Sequence, residues 1–121
     1  MQISVDDVLL PAVMQVLGRI PPADLCLLAI SGRLVFTIAD VPDAFARYEF
    51  FPREHRASFS SMAWAALSPA ARVGLVAHEV AHAVVGQQLG DAADEGKTDA
   101  QVEEWGFGDE LAAVYQAAEA A

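Results

Sequence analysis

The chain has 121 residues, a formal net charge of −10, 55% hydrophobic residues and one cysteine. Length and apolar content suit a single domain, residues 1–121, with one modest core, and argue against disorder. The acidic balance argues against nucleic-acid binding, the lone cysteine excludes an internal disulfide, and no apolar run reaches the roughly 18–20 residues of a membrane span.

Met1 to Asp7 lacks the basic and apolar regions of a signal peptide, so a cytoplasmic protein without membrane association is expected. Apolar residues at 5, 8, 9, 12, 13, 16 and 17 give residues 4–18 a helical spacing that Pro11 interrupts, so the regular helix is expected from near Pro11, ended by Gly18 and Pro21-Pro22. Leu25 to Ile30 and Leu34 to Ala39 read as two strands around Ser31-Gly32-Arg33, with Cys26 as a small buried hydrophobe. Phe45 to Phe51 and Ala57 to Ser61 read as a second hairpin, its turn at 52–56 carrying His55 on the surface. Met62 to Leu67 suits a short helical turn. Ser68-Pro69 is a strong helix start, with serine as N-cap and proline at the first helical position, and that helix runs to about Leu89 before Gly90. Asp91 to Gly96 reads as a loop or a helix entry. Helices over Thr98 to Trp105 and from Asp109 to about Ala118 follow, separated by Gly106-Phe107-Gly108; Trp105 and Phe107 read as core anchors. From Asp91 onward there are nine acidic residues against one basic, Lys97, the composition of a solvated surface. This order predicts an α+β fold, with a small antiparallel sheet packed on a central helix over 69–89 and further helices around it.

The central helix carries the chemistry. Between Val73 and Gly86 its only polar side chains are His78, Glu79 and His82. Ionisable groups on a helix apolar almost all round carry a desolvation cost unless something compensates them. Positions 78 and 82 share one helical face, so two imidazole nitrogens can reach a point about 2 Å from each, as at a zinc site. Glu79, offset by about 100° along the helix, can touch a water at the metal without ligating it. This is the HExxH zincin pattern of two ligands and a general base. A catalytic zinc commonly takes a third protein ligand, expected beyond Gly90, where Glu95 and Asp99 lie at i and i+4.

His78-Glu79-xx-His82 followed by Glu95-xxx-Asp99 resembles the gluzincin metallopeptidases, whose pattern is HExxH followed by ExxxD. Asp43-Ala44-Phe45-Ala46 is similar to the Asn-Ala-Phe-Ala motif of the prenyl-protein and heat-shock membrane metalloproteases of that clan. Leu75 to His82 also fits their helix. The resemblance covers residues 43–107 and implies a zincin-like fold without membrane spans. It implies Zn²⁺ as cofactor, His78, His82 and Glu95 as ligands, and Asp99 as the partner that orients His78. The interval from His82 to Glu95 is short for the family, which keeps Asp99, Asp94 and Asp91 as alternative ligands. Asp43 stands where the family has asparagine.

The implied function is a zinc metalloendopeptidase acting on a peptide or protein substrate, with Glu79 moving the proton from water to the leaving amine. The alternative is a zinc-binding regulatory or interaction module with a protein partner. An extended peptide would lie along the strand at 46–51, beside Ala46, Tyr48 and Phe50. Tyr115, Arg72 and His55 are the candidate donors for an oxyanion.

Overall fold

The computed structural model describes residues 2–30, 32–89 and 95–120. Strand β1 (Ile3–Val5) leads through a 3-10 turn (Asp7–Leu9) into helices α1 (Leu10–Arg19) and α2 (Pro22–Ile30). Strands β2 (Arg33–Ala39), β3 (Ala46–Phe51) and β4 (Glu54–Ser60) follow, then helices α3 (Ser61–Ala66), α4 (Pro69–Leu89), α5 (Glu95–Glu104) and α6 (Gly108–Ala120). Among the described residues the molecule is thus a mixed α/β fold with one four-stranded sheet and six α-helices.

The sheet order is β1-β2-β4-β3, and its pairing corrects the expectation of an antiparallel sheet. β1 and β4 both run parallel to β2, with Ile3 opposite Leu34 and Phe36 opposite Ala57; only β3 and β4 are antiparallel. For β1 and β2 the cause lies in α1 and α2; β4 is parallel to β2 because β3, the strand between them in sequence, sits at the outer edge. Parallel strands need a long crossover, and the helical segment between β1 and β2 supplies it. Leu25 to Ile30, expected as a strand, belongs to α2. Its leucines and alanine are good helix formers, Pro22 sits at the first helical position, and the Leu25 amide donates to the Pro21 carbonyl at 3.1 Å. Of this helix only Leu28 is buried, and Cys26 is exposed rather than buried.

The β3–β4 hairpin is tighter than expected, turning at Pro52-Arg53 with Arg53 at φ 63°. Gly32 makes that turn fit beneath β2: a Cβ there would lie 2.1 Å from the Arg53 carbonyl oxygen. Because β4 begins at Glu54, His55 lies inside the sheet and is 4% exposed, which corrects its expected surface position. Glu54 is held between Arg33 and Arg56, each at 2.8 Å.

Capping defines the helices that frame the site. Ser60 accepts from the Ala63 amide at 3.3 Å and Ser68 from the Ala71 amide at 3.1 Å. α4 packs against α1, α2, α5, α6, β3 and β4, making it the centre of the core. Trp105 and Phe107 are buried as expected; the Trp105 indole N–H donates to Asp24 at 2.8 Å, which ties the end of α5 to α2. Gly90, the expected helix stop, and Asp91 to Asp94 lie outside the described residues.

No described helix is long and apolar enough to cross a membrane by itself.

Candidate metal centre and its cleft

His78 and His82 present their rings from one face of α4, with centroids 4.6 Å apart and planes at 85°. α5 begins opposite them at Glu95, and this carboxylate spans both imidazoles. Its Oε2 is 2.9 Å from His78 Nε2 and its Oε1 is 3.0 Å from His82 Nε2. The three residues named from the sequence as a ligand set are therefore brought together, Glu95 meeting each imidazole through a different oxygen. Asp99, one turn along α5, approaches the same His78 atom: its Oδ1 is 3.4 Å from Nε2. It faces the side where a ligand would bind rather than Nδ1, the nitrogen through which an orienting partner acts on a metal-bound histidine. That nitrogen instead faces Glu79 Oε1 at 3.4 Å. Asp91 and Asp94, the other alternative ligands, fall outside the described residues.

Two buried carboxylate oxygens mark the site: Glu79 Oε2 and Asp99 Oδ1 accept no hydrogen bond, and Asp99 Oδ1 has only the ion contact with His78 at 3.4 Å. Leaving buried carboxylate oxygens unsatisfied is costly, and a cation is the simplest compensation. Ligand atoms of His78, Glu79 and His82 lie within 4.8 Å of one another, as do those of His78, Glu95 and Asp99. Two imidazoles with carboxylates form a donor set suited to zinc, so these residues fit the ion.

The electrostatics fit a site awaiting positive charge. Burial pushes the His78 pKa down, but hydrogen bonds and charge attraction from Glu79 and Glu95 outweigh it and raise the pKa to about 9. The carboxylates around His78 thus favour its protonated, positively charged form at neutral pH. Tyr115 donates to Asp99; this bond, with some burial and the charges of Asp99 and Glu95, pushes its pKa up to about 12.

Beside the centre lies a cleft of about 680 Å³. Phe45, Leu75, Leu111 and Val114 supply apolar walls; Asp43, Glu79, Glu95 and Tyr115 supply polar groups, and among the described residues no lysine or arginine lines it. Of the expected substrate contacts on β3, only Ala46 lines this cleft. Phe50 lies against His55 at 5.1 Å. Tyr48 is half-buried against His82 rather than turned to the cleft. Among the candidate donors, Tyr115 alone is at the cleft. Arg72 donates to the Trp64 carbonyl at 3.0 Å, and His55 is buried with its Nδ1 bonded to the Tyr48 hydroxyl.

The sequence reading missed how His55 and Thr98 relate to the centre. Strand alternation joins His55 to Ala57 and Phe59 on one face, a signal visible only if β4 starts at Glu54. Thr98 is fully buried beside His82, its hydroxyl 3.5 Å from Nδ1, and shares the inner face of α5 with Val102 at i+4. Comparison with protein-family models, curated proteins and solved structures finds no match.

Proposed function

We propose that the protein is a zinc-dependent metalloendopeptidase of a small, zincin-like kind. One observation carries the reading. His78 Nε2 and His82 Nε2 converge on the two oxygens of Glu95, at 2.9 and 3.0 Å, beside buried Glu79 with its unpartnered Oε2. A pure zinc-binding module needs no buried carboxylate of this kind next to its ligands. The gluzincin resemblance, an HExxH helix against a sheet whose edge strand is β3, agrees with it.

His78, His82 and Glu95 would hold the ion. When bound, zinc supplies Lewis acidity and makes water at the site a nucleophile at neutral pH. Glu79 then accepts the proton from the attacking water and returns it to the amine as the C–N bond breaks. Tyr115, its hydroxyl still protonated at neutral pH, is the donor for the developing oxyanion once it leaves Asp99. A peptide backbone pairs along edge strand β3, and an apolar side chain enters the cleft between α4 and α6. Asp43 on the cleft wall, away from the ligands, favours neutral or basic peptides over acidic ones.

The test is metal content by mass spectrometry together with cleavage of a peptide library. Wild type should hold one zinc per chain and cleave. Glu79→Gln should retain the zinc and lose at least about 100-fold in rate. Zinc bound without cleavage of any peptide would leave a metal-binding module; no zinc would end both readings.

A further inference from the structure

We propose that Tyr48 is the positioning residue of His82: its ring, clamped by buried His55, sets the imidazole plane and so aims Nε2 at Glu95. The inference rests on the metal-centre reading above but concerns a residue outside the ligand set.

A histidine that binds a metal is normally oriented through its second ring nitrogen, bonded to a carboxylate, a carbonyl or water. His82 has little of this. The nearest group described at its Nδ1 is the Thr98 hydroxyl at 3.5 Å, the outer limit of a hydrogen bond. His82 Nε2 meets Glu95 Oε1 at 3.0 Å, but with Nδ1 so weakly held the imidazole plane can still turn about that contact and lose its aim. What holds the plane is contact on the ring face. Tyr48 lies nearly parallel to His82, with centroids 5.8 Å apart and planes at 11°. The T-shaped contact with His78 closes the ring in from another direction, at 85°.

Tyr48 is itself fixed. Its ring stacks on His55 with centroids 5.8 Å apart at 21°, and its hydroxyl bonds to His55 Nδ1. Phe50 packs on His55 in turn, at 5.1 Å. Tyr48 sits mid-way along β3, paired with Ala57 of β4. The plane of a ligand on α4 is therefore set from the sheet, across the boundary between the two layers. The burial that raises the Tyr48 pKa agrees with a side chain spent inside the fold rather than on substrate.

The experiment measures zinc affinity by chelator competition, and the visible spectrum of the Co²⁺-substituted protein, for wild type, Tyr48→Leu, Tyr48→Phe and Phe59→Leu. Tyr48→Leu should lose about 10- to 100-fold in zinc affinity and alter the Co²⁺ bands. Tyr48→Phe keeps the ring and should stay within about threefold of wild type. Phe59→Leu, in the core of the same sheet, should lower Tm and leave affinity unchanged. Equal affinity and an unaltered Co²⁺ spectrum in Tyr48→Leu would overturn the inference, as would Tyr48→Phe behaving like Tyr48→Leu. If Tyr48→Leu does not fold, Tyr48→Met, a flexible filler of similar reach, is read by the same criteria. Wild type that binds no zinc overturns the metal-centre reading and this inference together; zinc bound by wild type and by Tyr48→Leu alike overturns only this one.

Discussion

Gly74 and Glu110 bring the backbones of α4 and α6 together so closely that a Cβ on Gly74 would lie 2.2 Å from the Glu110 carbonyl oxygen. The contact is one turn before His78 and pins α6, with Tyr115, along the cleft. Gly74→Ala should therefore cost about 1–3 kcal/mol by overpacking. Gly86, on the same helix with no described atom within 4 Å of its would-be Cβ, gives the opposite expectation. Gly86→Ala should stabilise by about 0.5–1 kcal/mol through helix propensity. Urea denaturation of the two variants measures the contrast; equal shifts of one sign would contradict the close approach.

Glu95 touches both imidazoles, whereas Asp99 approaches one. Glu95→Ala should lower zinc affinity by at least about 100-fold, and Asp99→Ala by about 10-fold. Chelator competition orders the two. A larger loss in Asp99→Ala would make Asp99 the third ligand.

The raised pKa of His78 predicts opposite pH trends for the metal-free protein and for metal binding. Without zinc, protonated His78 stabilises the fold fully below the ordinary value of 6.5, and that contribution disappears as pH rises through about 9. Zinc needs the neutral imidazole, so affinity should climb across the same window as binding displaces the proton. Thermal melts of the metal-free protein should show Tm falling over that range. Calorimetry in buffers of different ionisation enthalpy should find about one proton released per zinc near pH 7.5. No net release would show that His78 is already neutral.

Tyr115→Phe keeps the ring on the cleft wall and removes the hydroxyl that bonds Asp99. If the phenol serves the oxyanion, kcat should fall about 100- to 1,000-fold with KM nearly unchanged. A change confined to KM would instead make Tyr115 a binding residue.

Away from the site, Glu54 is held below the usual carboxylate range, chiefly by its hydrogen bond from Arg33, with Arg56 adding to it. Its contribution is present above the ordinary value of 4.5 and is lost as pH falls through the lower folded value. Glu54→Gln should thus reduce the acid sensitivity of unfolding, measured by the pH dependence of the urea midpoint between pH 5 and pH 3.

The elements around the site were legible wherever a local signal was strong. Ser68-Pro69 announces α4 and the Ser68 cap forms, since the capping bond involves only neighbouring residues. The run from Leu25 to Ile30 misled because a short apolar stretch reads alike as strand or helix, and here leucine, alanine and Pro22 favour the helix. That one substitution of a helix for a strand changes the sheet as well. With helices joining β1 to β2, those strands run parallel, so an antiparallel sheet could not be the outcome.

By itself the sequence determined a helix with two histidines one turn apart, a glutamate between them, and an acidic segment within reach. Those follow from helical period and from chain order. Only the tertiary structure decided that Glu95 bridges both rings, that Asp99 faces His78 Nε2, and that Tyr48 stands behind His82 instead of facing substrate. The reason is physical. Each relation depends on how α5 and β3 pack against α4, and distances between packed elements are set by side-chain volume and backbone approach, which no local periodicity encodes.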